Sequence, residues 1–361
     1  MLTYSKALRL TTVIDSKNNN FNLIRMVAAT AVIFSHSFAL ALGERGFEPI
    51  NNILGMSLGE IAVNIFFITS GLLVTRSLCF RNNLRQFIIA RALRIYPALI
   101  ACTVVCATLG IIISNLSFNE YITDNNFIKF IFYNSTIIIT DFQILPGVFE
   151  QAPYDASVNG SLWTLPWELR MYCVLLGVGL LISISSHFKF RVNIIPFAII
   201  AIALISTIYH FHYHINNEVH WFYSKASRFL STFFLGACLY IIKDHIVLSK
   251  QALLGCGLFL LIALLFSKDA FYVFFTLISP YIILCVAYLP KGKILQYNKV
   301  GDYSYGTYIY AWPIQQTLAI TLVGIQPLEM MFATFILTLI FAITSWHLIE
   351  KPTMKLKRCY T

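Results

Sequence analysis

Charged residues are scarce in this chain. Asp, Glu, Lys and Arg make up 12% of its 361 residues, which is about half of the share that is usual in soluble domains. Hydrophobic residues make up 58%, and the mean hydropathy is +0.73. This composition excludes an ordinary soluble domain and predicts an all-α polytopic membrane protein.

Acidic residues are the rarer charged class, with 16 Asp and Glu against 26 Lys and Arg. A net charge of +10 could indicate a nucleic-acid partner, but the basic residues lie mostly between apolar runs, where membrane topology places them. We therefore expect a lipid bilayer as partner and no nucleic acid. No cleavable signal peptide is expected, because the N-terminal stretch is polar and the first apolar run is long enough to remain as an anchor.

The eight cysteines form no C-x-x-C pair and show no metal-ligand spacing. They fall largely inside apolar runs, which is typical of small core residues. Cys102 and Cys106 share a helix face, so a disulfide or metal role for that pair is the less favoured alternative. No metal cofactor is expected.

Eleven apolar runs are candidate membrane segments. All basic clusters fall on the cytoplasmic side only if one run between Arg94 and Lys189 does not cross. The candidate is 127–148, which polar residues and a proline interrupt, and we interpret it as re-entrant or lying at the outer surface. The prediction is about ten transmembrane helices with both termini in the cytoplasm. The eleven runs lie near 22–42, 58–80, 93–114, 127–148, 162–184, 193–210, 226–243, 251–267, 270–289, 303–323 and 328–349.

No internal repeat is visible, which disfavours the common secondary-transporter architectures because many of these are built from repeats. We expect a single integral-membrane domain over residues 1–361. Its tails would be a cytoplasmic N-terminal segment at 1–20 and a basic cytoplasmic segment at 350–361.

The first apolar run, FNLIRMVAATAVIFSHSFALAL, contains two ionisable side chains, Arg25 and His36. On an α-helix this spacing places both on one face, roughly 16 Å apart along the axis. An extended substrate could therefore contact both. The alternatives are a snorkelling anchor for Arg25 and a hydrogen-bonded interhelical histidine for His36.

Glu168, in the segment SLWTLPWELRMY, is expected at the same membrane depth as His36. A carboxylate bonded to an imidazole fixes its tautomer and raises its basicity, so we predict that the two form a general-base pair. The alternative is a structural pair of Glu168 with Arg170, although positions i and i+2 on a helix do not face each other. Glu60 is another candidate partner for His36 or Arg170, although a role in topology or packing is the favoured interpretation.

Arginines are expected at the cytoplasmic mouth of the same shaft. Arg91 and Arg94 share a helix face, and together with Arg25 and Arg76 they could form one basic entrance. Such an entrance suits an anion that carries several phosphates. The alternative for Arg91 and Arg94 is a solvated basic face beside lipid.

Five segments occur in a characteristic order: NLIRMVAATAVIFSHS, GEIAVNIFFITSGLL, RALRIYP, SLWTLPWE and GDYSYGTYIYAWPIQQ. In these the sequence resembles the membrane-bound acyltransferases of the acyltransferase-3 family, bacterial enzymes that acylate surface polysaccharides and other extracytoplasmic acceptors. The resemblance implies an acyl-coenzyme A donor, usually acetyl-coenzyme A, bound from the cytoplasm. It further implies transfer to a sugar hydroxyl outside, and a place in the bacterial inner membrane.

The resemblance also implies roles for single residues. His36 matches the essential histidine of the family, Arg25 its paired arginine, Arg91 and Arg94 the R-x-x-R, and Glu168 the acidic residue of the tryptophan-containing segment. We expect neutral His36, oriented by Glu168, to take the proton of an acceptor hydroxyl that attacks the thioester. A route through acyl-histidine stays open.

Ser70, Tyr308 or Trp312 could donate to the oxyanion. The chain departs from many relatives at Ala311, where these have a second histidine, so a role for such a histidine is not carried over. Tyr305, Tyr308 and Trp312 share a helix face, for which simple packing is the alternative.

The histidine-rich segment 209–223 could place His210 and His214 on one face as metal ligands. We favour an interfacial loop near a carbohydrate acceptor, because aromatic and histidine rings suit the headgroup level.

Two other functions compete with acyl transfer, a transporter or flippase of a lipid-linked saccharide and a non-catalytic sensor. The sequence leaves open the acceptor (O-antigen of lipopolysaccharide, capsule, exopolysaccharide, peptidoglycan or a small molecule), the acyl group and the oligomeric state.

Overall fold

The computed structural model describes residues 8–44, 47–81, 84–187, 194–216 and 220–356 and is mostly helical. The basic pair Lys189 and Arg191 lies outside the described residues. Two short strands, β1 (Leu8–Arg9) and β2 (Val247–Leu248), pair antiparallel. The helices are α1 (Phe21–Leu42), α2 (Pro49–Leu54), α3 (Leu58–Arg81), α4 (Leu84–Ile113), α5 (Phe118–Thr123), α6 (Asn125–Thr136), α7 (Leu165–His187), α8 (Ile194–Ile215), α9 (Trp221–Ile241), α10 (Lys250–Phe266), α11 (Lys268–Tyr288), α12 (Tyr297–Val300), α13 (Ser304–Thr321), α14 (Pro327–Ser345) and α15 (Lys351–Leu356).

Ten of the eleven apolar runs coincide with the long helices. Within the described ranges, ten helices have 17 residues or more. Six segments are long and apolar enough to cross a membrane, as expected for a multi-pass membrane protein, whereas the crossing of all ten stays a prediction. The six are Phe21–Leu42, Leu58–Cys79, Leu84–Ile113, Ile195–Ile215, Lys268–Tyr288 and Pro327–Leu356.

Helix α4 begins earlier than its apolar run predicts, at Leu84. The extra turns are amphipathic, and their residues Phe87 and Ala90 are buried. This extension places Arg91 and Arg94 on a regular helix, so that their side chains are held by the same rigid element.

The interrupted run 127–148 does not cross as one helix. Its helix α6 has 12 residues, which span about 18 Å, against a hydrocarbon thickness of about 30 Å. Ile137 then adopts a left-handed backbone conformation (φ 46°), and the chain continues without helix until residue 160. The expectation of a non-crossing segment is consistent with this geometry.

Several basic connections lie on one side of the helices. Strand β1 pairs with β2, which follows α9. The side chain of Asn20 donates to the carbonyls of Ala287 (3.2 Å) and Pro290 (3.1 Å), and Asn298 donates to Asn19 (2.6 Å). The N-terminal segment therefore shares one side with the connections after α9 and α11. Because all three carry basic clusters, we keep the prediction that this side is cytoplasmic.

Helices α1 and α13 run parallel along the middle of the molecule. Arg25 near the start of α1 contacts Asp302 just before α13. Toward the other end, the Gln315 amide donates to the Ile33 carbonyl (2.9 Å) and to the Ser37 hydroxyl (2.8 Å). Because the two helices run in the same direction, residues near the start of α1 lie beside residues near the start of α13, and residues near their ends lie beside each other.

Helices α3 and α9 approach backbone to backbone at two glycines. A Cβ atom on Gly71 would lie 1.8 Å from the Phe233 carbonyl oxygen, and one on Gly236 would lie 2.1 Å from the Ile68 carbonyl oxygen. Small residues commonly permit such close helix packing in membrane proteins.

We predict that Gly71→Ala destabilises the protein by about 1–3 kcal/mol, because the added methyl group forces the two helices apart. Gly255→Ala is the matched control, since nothing lies within 4 Å of a Cβ there, and it should be neutral or stabilise by up to about 1 kcal/mol. The measurement is thermal unfolding in detergent followed by tryptophan fluorescence. Equal midpoints for the two variants would contradict the close approach.

Candidate active site

Three cavities follow one another along α1 and α13. The His36 cavity, which His36, Glu48 and Trp163 help to line, has a volume of about 510 Å³. The neck cavity, between Phe66 and Leu165, has about 40 Å³, and the arginine cavity, beside Arg91 and Arg94, about 60 Å³.

Neighbouring cavities share lining residues. Val63 and Tyr308 border both the His36 cavity and the neck cavity. The residues common to the neck and arginine cavities are Arg25, Ser70, Glu168 and Tyr305. Arg25 and His36 thus line cavities that follow one another, a wide one at the histidine and narrow ones at the arginines.

Three guanidinium groups line the arginine cavity, those of Arg25, Arg91 and Arg94. Two of them share one carboxylate, because Arg25 Nη1 (3.0 Å) and Arg94 Nη2 both donate to Asp302 Oδ2. Asp302 is buried and also accepts a hydrogen bond from the Ser304 hydroxyl (2.5 Å). This cluster joins α1, α4 and the start of α13.

The Asp302 carboxyl stays ionised at physiological pH. Burial alone would raise its pKa, but Arg94 and Arg25 outweigh burial and hold the pKa well below its usual range. Because this pKa is lower in the folded than in the unfolded protein, the ionised carboxyl stabilises the fold at pH values above its ordinary pKa of about 3.9. This stabilisation is lost only as the pH falls through the lowered pKa.

Arg94 lies between two carboxylates. Besides Asp302, its Nη1 lies 3.9 Å from Oε2 of Glu350. Glu350 ends one turn of π-helix, Trp346–Glu350, and only 2% of it is exposed. Single turns of π-helix within α-helices are frequent at functional sites.

Sequence reasoning assigned no role to Asp302 or Glu350. A signal for Asp302 was present, since a carboxylate directly before an apolar helix is unusual in a chain with 16 acidic residues and needs a cation if it is buried. The signal for Glu350 was weaker, because it stands beside Lys351 in a segment that reads as a solvated tail.

Of the three arginines that line the arginine cavity, Arg91 is the one that forms no ion pair with a described residue. Its Nε is buried and has no hydrogen-bond partner among the residues that the structure describes. Its guanidinium carbon lies 5.9 Å from the ring centroid of Tyr172. A buried donor of this kind favours an anionic ligand in the arginine cavity.

Arg76 does not line any of these three cavities, contrary to expectation. Its Nε donates to Asp15 Oδ1 (3.0 Å), and its Nη2 donates to the Asp15 carbonyl (3.3 Å). Asp15 lies in the N-terminal segment, so Arg76 anchors that segment to α3.

Glu168 has partners other than His36. Its Oε1 accepts hydrogen bonds from the hydroxyls of Tyr172 and Ser70, the latter at 3.4 Å. It lines the neck and arginine cavities, whereas His36 lines the wide cavity beyond Tyr308. The expected general-base pair is therefore not the arrangement in the structure, because similar depth in the membrane does not place two side chains on facing sides of their helices.

The other proposed carboxylate pairs also differ from expectation. Arg170 Nη2 donates to the Ile139 carbonyl (2.5 Å), and its guanidinium stacks on Trp167 at 4.4 Å, so it pairs with neither Glu168 nor Glu60. Glu60 Oε1 accepts from Arg228 Nη1 at 3.2 Å. Glu60 nevertheless lines the His36 cavity.

His36 packs edge-on against Trp312, with 4.7 Å between ring centroids. Trp312 Nε1 donates to the Ser157 carbonyl (3.0 Å), so the indole N–H is already used and is not a candidate oxyanion donor. A Cβ on Gly160 would lie 2.6 Å from the indole ring. The glycine therefore lets the Ser157–Gly160 segment cover Trp312, which in turn fixes the imidazole.

The wall of the His36 cavity combines aromatic rings with groups that form hydrogen bonds. The rings belong to Phe38, Tyr154, Trp163, Tyr308 and Trp312, the carboxylates to Glu48, Glu60 and Asp155, and the cations to Lys225 and Arg228. Flat apolar faces with polar groups between them suit a ligand that is itself both apolar and hydroxylated.

Glu48 is a cavity residue that sequence reasoning missed. It is 4% exposed, and its carboxylate accepts hydrogen bonds from the Ser35 hydroxyl (2.5 Å) and the Leu58 backbone N–H (2.6 Å). It thereby links the residue before His36 to the N-terminus of α3, where a negative charge is favourable. The surrounding segment is short and polar, so nothing in its pattern indicated burial.

Tyr308 stands where the His36 and neck cavities meet. Its hydroxyl and that of Thr164 are hydrogen-bonded at 2.7 Å, and Phe66 contacts its ring edge-on at 5.6 Å. Tyr308 thus remains a candidate donor to an oxyanion beside His36. Ser70 does not fit this role, because its hydroxyl donates to Glu168 and it lies outside the His36 cavity.

A proline anchors the non-helical segment that follows α6. Pro313 has no N–H, so the carbonyl of Ile309 lacks its usual partner in α13. The Asn159 amide donates to this carbonyl instead (2.8 Å). Gln316 donates to the carbonyls of Asp155 (2.8 Å) and Ser157 (2.9 Å), so this segment forms a fixed wall of the His36 cavity.

The histidines of the segment 209–223 contact an aromatic ring. Tyr272 is hydrogen-bonded to His210 Nε2 (2.8 Å) and stacks on His214 at 3.8 Å. Within the described ranges, no group of three His, Cys, Asp or Glu is placed to hold a metal ion. Glu218 lies outside those ranges.

The fold and the cavities define a multi-pass membrane protein with a half-buried histidine in one cavity and a cluster of arginines in another. Residues 18–347 match the family described as "Acyltransferase domain". The chain belongs to this acyltransferase-3 family, and it is an acyl-transferring enzyme.

Two relatives extend along nearly the whole chain. An "O-acetyl transferase" of Shigella phage Sf6 is 31% identical over 93% of this chain and 96% of its own length. "Nodulation protein 10" of Rhizobium leguminosarum bv. viciae is 28% identical over 94% of each chain. No solved structure matches.

We predict that Asp302→Asn destabilises the protein by about 3–5 kcal/mol, because it leaves two guanidinium groups without their buried carboxylate. Asp15→Asn removes the partner of Arg76 at an exposed pair, where the loss should be at most about 1 kcal/mol. Unfolding by denaturant in mixed micelles measures both. A similar small loss for the two variants would show that the Asp302 cluster does not hold the helices together.

Proposed function

We propose that this enzyme transfers an acetyl group from cytoplasmic acetyl-coenzyme A to a sugar hydroxyl of a bacterial surface polysaccharide, either outside the inner membrane or on a lipid-linked precursor. The name of the phage relative supports acetyl as the acyl group. The observation that carries the proposal is the row of three cavities with arginines at one end and His36 at the other, which we infer to form one path through a narrow neck.

The length and charge of this path suit acetyl-coenzyme A. The pantetheine arm has about fourteen chain bonds between its phosphorus and the acyl carbon and spans about 17 Å when extended. The spacing of Arg25 and His36 along α1 is roughly 16 Å. Arg25, Arg91 and Arg94 would hold the phosphates, since guanidinium groups bind them bidentately. The bound thioester supplies an activated acyl carbon.

His36 would act as the general base. In the neutral form one imidazole nitrogen accepts the proton of an acceptor hydroxyl, and Trp312 holds the plane of the ring. Tyr308 is the best candidate donor to the oxyanion, because it borders both cavities and so lies where donor and acceptor meet.

The His36 cavity would take the acceptor. A sugar ring presents C–H faces that stack on aromatic rings and hydroxyls that bind carboxylates, and the cavity offers both. Its volume of about 510 Å³ admits more than one ring. The narrow neck would keep this bulky ligand on the histidine side.

We predict that His36→Ala lowers acetyl transfer by about 10²–10⁴-fold, the usual contribution of a general base. The matched control is His245→Ala, since His245 is exposed and lies outside the three cavities. Mass spectrometry of surface glycans from deletion and complemented strains should show an acetyl mass increment with the wild type and the control, and none with His36→Ala.

One outcome of the same strains would favour the flippase alternative. If His36→Ala abolished display of the glycan while acetylation of the remaining pool continued, the protein would move saccharides rather than acylate them. Unchanged acetylation in His36→Ala would exclude His36 as the base.

We predict that Arg91→Ala raises KM for acetyl-coenzyme A by about 10- to 100-fold, because a hydrogen bond to a charged group contributes about 1.5–3 kcal/mol. Arg76→Ala is the control and should leave KM unchanged, since Arg76 pairs with Asp15 away from the cavities. Steady-state kinetics of both purified variants measure this. A larger effect at Arg76 would reverse the assignment of the phosphate site.

A further inference from the structure

We propose that Glu168 binds an amide N–H of the donor's pantetheine arm inside the neck cavity, with Ser70 and Tyr172 as its positioning residues. This inference rests on the proposed function, because it requires an acyl-coenzyme A donor. It gives Glu168 a role in binding the donor in place of the expected role of orienting His36.

The neck cavity admits a thin chain but no sugar ring. Its volume is about 40 Å³, less than a tenth of that of the His36 cavity, and the surface that its wall exposes to the cavity is mainly apolar, although polar residues contribute to it. The apolar lining residues are Val63, Phe66, Phe67 and Leu165, and the polar ones are Arg25, Ser70, Thr164, Glu168, Ser304, Tyr305 and Tyr308. A flexible arm with apolar links and two separate amides has matching chemistry.

Glu168 has acceptor capacity to spare. Both hydroxyl donors, Tyr172 and Ser70, bind the same oxygen, Oε1. No described residue donates a hydrogen bond to Oε2, although an ionised carboxylate offers about four lone-pair sites. A bound ligand could therefore donate a hydrogen bond to Oε2 of Glu168.

The position of Glu168 along the path fits an amide rather than a phosphate or the thioester. It borders the arginine cavity on one side and the neck on the other, so it lies between the phosphate end and Tyr308. A phosphate would be repelled by the carboxylate. The pantetheine amides lie between the phosphates and the sulfur and carry N–H donors that a carboxylate accepts.

The narrowness of the neck gives this contact its specificity. An amide N–H that leaves water and finds no acceptor is penalised, and the penalty is large where water cannot follow. A donor whose arm lacks that N–H would leave the Glu168 carboxylate without its partner. The site should therefore distinguish two donors of equal length by a single N–H group.

The test compares acetyl-coenzyme A with two analogues, in each of which one arm amide is replaced by an ester. With the wild-type enzyme, one of the two analogues should have KM raised by about 10- to 100-fold, as expected for loss of a hydrogen bond to a charged group. In Glu168→Ala, KM for acetyl-coenzyme A should rise to a similar value, and the preference over that analogue should disappear. The pH profile of kcat should not change.

Two further variants keep the test decisive if Glu168→Ala does not accumulate. Tyr172→Phe and Ser70→Ala each remove one hydroxyl that holds Oε1, so each should weaken the amide preference in part. Glu329→Gln is the control and should keep the full preference, because Glu329 is exposed at the start of α14 and glutamine also completes its capping box.

An equal loss of kcat with all three donors and a shifted pH profile would overturn the inference, because these are the signs of a residue that orients His36. Equal KM values for all donors with the wild type would also overturn it. If the wild type accepted no acetyl group from acetyl-coenzyme A but did so from another donor, the proposed function would fail before this inference was tested.

Discussion

Two guanidinium groups and one carboxylate meet where α1, α4 and α13 converge, and this cluster of Arg25, Arg94 and Asp302 fixes the rest of the site. In a chain with few charges, burying either arginine alone would be strongly unfavourable, so each must keep its position relative to the carboxylate. That requirement sets the register of α1 against α13. Because both helices continue along the same path, it also sets where His36 and Trp312 meet.

The change in width along the proposed path would separate the two substrates by size. On this proposal the arginine and neck cavities take a thin anionic chain, and the His36 cavity takes a broader ligand. Tyr308 marks the boundary. An acyl group would then reach the acceptor without either substrate leaving its own side of the membrane, as the proposed transfer between compartments requires. The fixed segment from Asp155 to Asn159 maintains the wide end of the path.

Much of the fold was predictable, because apolar runs with basic connections have few alternatives in a membrane. The shared face of Arg25 and His36 was also predictable, since it depends on helix periodicity within one segment. Contacts between helices were not. The partners of Glu168 and Arg76 depend on helix rotation and on residues distant in sequence, which depth and charge alone do not specify. Asp302 was missed because its role depends on two arginines distant in sequence, Arg25 and Arg94, whose approach the sequence pattern does not specify.

Cryo-electron microscopy of the protein in a nanodisc with coenzyme A tests most directly whether the three cavities form one donor path. The phosphates should lie beside Arg91 with the arm in the neck past Glu168, and the sulfur should reach Tyr308 and face the imidazole of His36. Coenzyme A bound on the histidine side of the neck, or lipid filling the neck in its place, would contradict a path shared by the arginines and the histidine.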